Sequence, residues 1–196
     1  MNKRQADFLC QALETEQGGV LVYEAAILCA KTPELKEEWQ KYLDETKEHV
    51  GIYTELMQEL NVDPLTESPG RTIVREKGAA LVACMKQALK AGDAAGAEIV
   101  AAECVVDAET KCHMNWHLVG EMAKTLKGAH AKRLQTAYDQ VEVQEDEHLY
   151  HTAGWARELW IQYLGMPAVI PPPEEAKDVK TAIGAARAKH SRASML

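Results

Sequence analysis

The chain has 196 residues, of which 46% are hydrophobic and 27% are charged, a composition that suits a globular protein with one sizeable core. The formal net charge of −8 disfavours nucleic-acid binding, because domains that bind nucleic acid usually carry a basic surface. The five cysteines form no CxxC pair, and their odd number and scattered spacing argue against a zinc ribbon or a disulfide framework. The N-terminus lacks the apolar segment of a signal peptide, and no apolar run is long enough to cross a bilayer. We therefore expect a cytoplasmic protein with free thiols and no membrane contact.

Good helix formers dominate the chain, and Pro or Gly residues separate segments of helical length. The sequence predicts helices over residues 4–30, 33–60, 71–90, 93–127 and 130–164, and no strand. Short turns join the first two and the last two of these helices, and a long connection lies between the two pairs. This order predicts an all-α four-helix bundle with one crossover, in which the extra helix carries the chain back along the bundle.

The composition changes near residue 165. The segment PAVIPPPEE is typical of a stiff extended spacer, and the residues after it are mostly basic or small. We predict a helical domain over residues 1–165, followed by a Pro-rich spacer and basic tail over residues 166–196. Two interpretations of the tail stay open: a flexible or partner-docked end, and a basic arm that reaches an acidic neighbouring subunit.

The segment VQEDEHLYHTAGW, residues 143–155, is rich in acids and histidines. Glu145 and His148 have Glu-x-x-His spacing, which places both side chains on one helix face and is used by di-iron helical bundles. The spacing alone decides nothing, because a chain with this many acids contains about one such pair by chance. We expect Glu145 and His148 to face inward, and Asp146 and Glu147 to face water.

The positions of four residues relative to the turns are more informative. Glu16 and His49 lie equally far from the turn between the first two helices, and Glu109 and His148 lie equally far from the last turn. In antiparallel helix pairs, residues so placed stand at the same height. Each half of the chain thus sets a carboxylate opposite a histidine, and a ring of inward carboxylates is costly to bury unless a metal compensates it.

Over residues of about 5–160 this arrangement resembles the ferritin-like superfamily, which includes bacterioferritins and rubrerythrins. The resemblance implies two iron ions, or alternatively manganese or a mixed pair, that react with dioxygen or peroxide, with Fe(II) itself as one candidate substrate. The implied ligands are Glu16, Glu45, His49, Glu109, Glu145 and His148. Further candidates are Glu48, Glu103 and His113, and Tyr23 resembles a tyrosine near the metals in several members. A homodimer is expected, since two-fold oligomers are the commonest.

The sequence departs from the superfamily pattern at Thr46, where the second helix should carry a glutamate. Glu45 is the preferred substitute, because a spacing of four keeps it on the face of His49, whereas Glu48 lies about 100° around the helix. The departure supports an alternative function, a ferritin-like binding or stress-related interaction module with a degenerate metal site. A third hypothesis, an unrelated four-helix scaffold, predicts that the acids point outward. The absence of CxxC pairs also indicates that no rubredoxin domain is attached.

Overall fold

A computed structural model describes residues 1–167 of the chain. Within that range it contains five α-helices and no strand. The helices are α1 (Lys3–Cys29), α2 (Pro33–Glu59), α3 (Pro69–Lys90), α4 (Ala94–Thr125) and α5 (Gly128–Tyr163). The all-α prediction is confirmed, and the predicted boundaries agree with the observed ones to within about two residues. Most of the predicted spacer and basic tail lies outside the described residues. None of the five helices is both long and apolar enough to cross a membrane.

Local sequence explains where the helices begin and turn. Asn2 caps α1 by accepting a hydrogen bond from the backbone of Gln5, whose side chain in turn accepts one from the backbone of Asn2. Pro33 occupies the first turn of α2, where a missing N–H costs nothing. Gly128 begins α5 with a φ of +69°, a conformation that glycine adopts without strain. The last two helices therefore follow each other through a very short turn.

Helices α1, α2, α4 and α5 pack in a ring, in which α1 contacts α2 and α4, and α5 contacts α2 and α4. Helix α3 lies outside this ring, against α1 and α4. Two apolar clusters fill the interior, one around Tyr23, Trp39 and Trp155 and the other around Tyr53 and Trp116. Along each of the four ring helices, the two clusters leave a gap of several residues. Buried acidic and histidine side chains occupy that gap, so the bundle has a polar layer near its middle.

Two arginines attach α3 to the bundle. Arg71 is buried, and its Nε donates to Glu14 Oε2 on α1 at 2.6 Å while its Nη1 donates to the carbonyl oxygen of Thr66 at 3.1 Å. Arg75 Nε donates to the other oxygen of Glu14 at 2.8 Å. Arg71 and Met85 are the only buried residues of α3, and the partly buried Leu81, Val82 and Ala88 pack against the core beside Met85, so α3 is attached by polar and apolar contacts together.

Candidate metal centre

Five side chains from four helices meet in the polar layer, and we call them the buried centre: Glu16 from α1, His49 from α2, Glu109 from α4, and Glu145 and His148 from α5. Each of them is at most 1% exposed. The hypothesis that the acids point outward, as on an unrelated scaffold, is therefore wrong. The distances along the chain from the two turns placed Glu16 level with His49 and Glu109 level with His148. The structure brings each of these pairs together.

The donor atoms of the buried centre converge on a small volume. His49 Nδ1 lies 3.0 Å from Glu145 Oε1 and 3.8 Å from Glu16 Oε2. His148 Nδ1 lies 3.8 Å from Glu109 Oε2, and the two imidazole rings are nearly parallel with their centroids 5.6 Å apart. His49, Glu145 and His148 each offer a donor atom within 4.8 Å of the other two. Distances of this size allow several of the atoms to share one or two cations.

Five of these inward atoms are buried without any hydrogen-bond partner: Glu16 Oε2, His49 Nδ1, Glu109 Oε2, Glu145 Oε2 and His148 Nδ1. Buried polar atoms in proteins nearly always have a partner, and leaving one without costs about 1–3 kcal/mol, or more for a charged group. Five such atoms facing one another form a set that a cation would satisfy together. Carboxylate oxygens with imidazole nitrogens suit iron or manganese, so the chemistry of the donors fits the metals that the resemblance implies.

Two acids of the buried centre, Glu16 and Glu145, have perturbed pKa values. Burial raises the pKa of Glu16 well above its usual value, and the charge of Glu145 adds to this while His49 opposes it. Burial likewise raises the pKa of Glu145, with the charge of Glu109 adding to the effect. A divalent cation bound beside these two carboxylates would oppose both shifts, because it favours the ionised form.

The outer nitrogens of both histidines are held by hydrogen bonds. His49 Nε2 donates to Gln144 Oε1 at 2.9 Å, and His148 Nε2 donates to Glu45 Oε2 at 2.9 Å. Gln144 Nε2 also donates to Glu45 Oε1 at 3.3 Å, which joins the two pairs. Both partner oxygens only accept, so Nε2 of each histidine is engaged on the outer side and Nδ1 faces the carboxylates of the buried centre. This is the arrangement that orients metal-ligating histidines in proteins.

Glu45, the carboxylate that the sequence assigned to α2, does not lie among the inward donors. It contacts the outer nitrogen of His148, and Lys41 Nζ lies 3.5 Å from its other oxygen. Partial burial raises its pKa, but the hydrogen bond from His148 and the charge of Lys41 outweigh this and lower it. Thr46, on the inner side, is buried and donates to the carbonyl of Tyr42 at 2.7 Å. Helix α2 thus supplies His49 alone to the buried centre, because its inward position carries a threonine.

The three additional candidates also lie elsewhere. Glu48 is exposed, and Glu103 is exposed and accepts a hydrogen bond from Trp160 Nε1 at 2.8 Å. His113 Nε2 lies 2.7 Å from Asp146 Oδ1 at the bundle surface. Glu48 and Glu103 lie about 100° and 120° around their helices from His49 and Glu109, whereas His113 lies one turn beyond Glu109 along α4, where it meets Asp146. The structure does not bring any of the three into the buried centre.

Tyr23 does lie beside the buried centre. Its ring is fully buried and stands edge-on to His148, with the ring centroids 6.1 Å apart. Burial raises the pKa of its hydroxyl well above the usual value, and the carboxylate of Glu109 is the next contributor. The tyrosine is therefore neutral and close to the candidate ligands, as the resemblance implies.

Three contributors to the buried centre were not recognised in the sequence. Cys112 is 1% exposed, and its Sγ lies within 4.8 Å of donor atoms of Glu16 and Glu145. Trp116 Nε1 donates to Glu16 Oε1 at 2.9 Å, and Gln144 positions His49 as described above. The signal for Cys112 was its spacing of three from Glu109, which places both on one face of α4.

A second buried hydrogen-bond network adjoins His148. Glu38 accepts hydrogen bonds from the Tyr42 hydroxyl and from Trp155 Nε1, the latter at 2.8 Å. His151 Nδ1 lies 3.0 Å from Glu38 Oε1 and 2.9 Å from the Tyr42 hydroxyl. The Tyr42 ring packs on His148, with the centroids 4.3 Å apart. This network fixes the packing around one side of the buried centre.

A cleft of about 420 Å³ between α1, α3 and α4 reaches towards the polar layer. Gly18, Gly19 and Gly78 form part of its lining. A methyl group placed on Gly19 would lie 3.4 Å from Thr46 Cγ2 and 3.9 Å from Cys112 Sγ. The wall of the cleft at Gly19 therefore lies beside residues that border the buried centre.

Comparisons with models of known protein families, with curated proteins and with solved structures found no match to this chain.

Proposed function

We propose that this chain is a ferritin-like protein that holds two iron or manganese ions in the buried centre and uses them to react with dioxygen or peroxide. The observation that carries the proposal is the set of five buried donor atoms, from four helices, that face one another without hydrogen-bond partners. A folded chain tolerates such a set only at considerable cost, and a pair of divalent cations removes that cost.

The distances divide the donors into two overlapping groups. Glu109 with His148 would hold one ion, and Glu16 with His49 would hold the other. Glu145 Oε1 lies 3.0 Å from His49 Nδ1, and Glu145 also offers a donor atom within 4.8 Å of His148, so this carboxylate would be available to either ion. Three carboxylates would offset most of the charge of two divalent ions. When bound, a redox-active pair of this kind can supply electrons to dioxygen or peroxide.

The rest of the chain prepares the donors for that task. Gln144 and Glu45 hold the two imidazoles with their Nδ1 atoms directed inward, so little reorganisation is needed when an ion binds. Trp116 fixes one oxygen of Glu16 and leaves the other for a cation. The apolar clusters above and below exclude bulk water, and the cleft that Gly19 lines offers a small oxidant a route to the edge of the centre.

One observation favours a second function, a ferritin-like interaction module whose metal site has degenerated. Thr46 occupies the inward position of α2, and its hydroxyl is already satisfied by the carbonyl of Tyr42 at 2.7 Å. The buried centre therefore has three inward carboxylates rather than four. On this alternative, Glu16 and Glu145 stay protonated in the folded protein and no ion is bound.

Metal content decides between the two functions. The full chain is stripped with a chelator, reloaded anaerobically with Fe(II) or Mn(II), desalted and subjected to elemental analysis. We expect about two ions per chain for the wild type, a clear loss for Glu145→Gln and no change for Glu48→Gln. Glu48 is the matched control, because it is an exposed glutamate beside His49. A wild-type protein that retains neither metal would refute the metal-centre proposal and support the interaction module.

The metal-loaded protein also serves to test the proposed reactivity and the proposed oligomeric state. Oxygen consumption and peroxide decay by the Fe(II)-loaded protein test the proposed reactivity, with Glu145→Gln as the inactive comparison. The mass of the loaded protein by light scattering tests the proposed homodimer. If the protein bound two ions per chain but consumed neither dioxygen nor peroxide, the proposal would be restricted to metal binding.

A further inference from the structure

We propose that His113, His117 and Asp146, here called the surface cluster, form a separate site for a single divalent ion of the zinc type. His113 and His117 are one turn apart on α4, and their ring centroids are 4.4 Å apart. Asp146 comes from α5, and its Oδ1 lies 2.7 Å from His113 Nε2. Each of the three offers a donor atom within 4.8 Å of the other two.

The surface cluster is distinct from the buried centre although it uses the same two helices. Glu109 and Glu145 turn inward and are buried, whereas the Asp146 side chain is 50% exposed and His117 is exposed. Consecutive residues of a helix point about 100° apart, so Asp146 leaves α5 in a different direction from Glu145. The surface cluster therefore opens to solvent and can exchange an ion without disturbing the interior.

The ligand types select the ion. Two imidazoles and one carboxylate, with a fourth position left to water, match open zinc sites in proteins. Imidazole nitrogen favours late first-row ions such as Zn(II), Co(II), Ni(II) and Cu(II) over Mg(II) or Ca(II), which prefer oxygen ligands. The negative net charge of the chain also raises the local concentration of cations.

The geometry needs only a small adjustment. In a tetrahedral site whose ligand atoms each lie about 2.1 Å from the ion, those atoms are about 3.4 Å apart. The donor atoms of the surface cluster lie within 4.8 Å of one another, so the more distant ones would have to move closer. His117 is exposed, and its ring stands edge-on to that of Tyr138 with the centroids 6.4 Å apart. His113 is more buried, and Tyr150 stands edge-on to it with the centroids 5.8 Å apart. Closing the surface cluster onto one ion would therefore move the exposed ring of His117 more than that of His113.

A simpler role for the surface cluster is a cross-helix ion pair between His113 and Asp146. The two roles differ in what they require of His117. An ion pair uses only His113 and Asp146, whereas chelation needs the second imidazole as well. The effect of a change at His117 on metal affinity therefore separates the two roles.

The test is a Zn(II) titration of the full chain by calorimetry, and a Co(II) titration followed by visible absorption, whose intense bands report tetrahedral coordination. Both titrations use the Glu145→Gln background, so that the buried centre does not contribute, and are repeated in the wild type. We expect one ion per chain at the surface cluster and a loss of about tenfold or more in affinity for His117→Gln. His130→Gln is the matched control, because His130 is a partly exposed histidine of α5 outside the surface cluster.

Equal affinity in the His117→Gln and His130→Gln variants would overturn the proposal, as would an absence of binding in the parent chain. Circular dichroism of each variant shows that the helices are intact; since His117 is exposed, its replacement should not affect folding. The inference does not rest on the buried centre. If Glu145→Gln lost the ions of the buried centre but kept the ion bound through His117, that result would show directly that the two sites are separate.

Discussion

Replacing Glu145 with glutamine should have opposite effects on stability in the metal-free and metal-loaded protein. Without metal, the wild type buries this carboxyl against two others, and its raised pKa means that the folded state binds a proton that the unfolded state releases. Glutamine keeps the shape, is always neutral and can donate to His49 Nδ1. The metal-free variant should therefore be more stable than the wild type at pH 7.5, by about 1–3 kcal/mol.

The dependence of stability on pH follows from the same shift, and its sign is fixed. Glu16 and Glu145 have pKa values raised by folding, so the metal-free protein loses stability as the pH rises from the ordinary carboxyl pKa towards the folded values. Each group contributes a slope of at most about 1.4 kcal/mol per pH unit. Glu14 and Glu45 have lowered pKa values, and their contribution is complete above the ordinary carboxyl pKa. The variant should keep only the slope that Glu16 supplies.

Urea unfolding at pH 5.5, 6.5 and 7.5, with chelator or with excess Mn(II), measures the effect of the substitution, of pH and of metal on the free energy of unfolding. At a free metal concentration of 100 times Kd, the wild type should gain about 2.7 kcal/mol for each ion, while Glu145→Gln should gain far less. A variant that is destabilised to the same extent with and without metal, together with a flat wild-type pH profile, would contradict the reasoning. That result would mean that the buried carboxyl serves as an ordinary hydrogen-bonding group of the core.

Three further predictions concern the surroundings of the buried centre and the anchor of α3. Trp116→Phe removes the hydrogen bond to Glu16, and we expect metal affinity measured by Mn(II) titration to fall by about 10–100-fold with the helical content unchanged. In the native protein, a thiol reagent at pH 8 should label Cys84 rapidly, as seen by peptide mass spectrometry, because it is the one exposed cysteine; labelling of the other four at the same rate would contradict the packing. Arg71→Ala should cost about 1.5–3 kcal/mol in urea unfolding, since it removes the buried partner of Glu14 and leaves Arg75 as the remaining one, whereas Arg75→Ala should cost about 1 kcal/mol or less.

The helices and the height of the polar layer could be predicted because both follow from local signals. Helix formers, prolines and glycines set the boundaries, and counting residues from a short turn gives the height of each side chain. The counts from the two turns placed Glu16 opposite His49 and Glu109 opposite His148, and these pairs do meet in the structure. Neither step needed knowledge of side-chain contacts.

Direction around the helix axis could not be predicted with the same precision. Glu45, Thr46 and Glu48 are near neighbours in sequence, yet one contacts the outer side of His148, one faces the core and one faces solvent. A rotation of α2 by one residue step, about 100°, would bring Glu45 to the inward direction that Thr46 has. The partners of Gln144 and Cys112 were inaccessible for a related reason, because they depend on contacts between helices that the sequence does not encode locally.

The asymmetry between the two halves of the bundle matters for the proposed chemistry. Helices α4 and α5 supply two inward carboxylates and a histidine, whereas α1 and α2 supply one carboxylate and a histidine, because Thr46 occupies the inward position of α2. Two ions in the proposed site would therefore have to share Glu145, which offers donor atoms close to both histidines. Gly19 lines the cleft between α1, α3 and α4, and a side chain at that position would meet Thr46 and Cys112. An oxidant that entered this cleft would thus approach the buried centre from the side of α1.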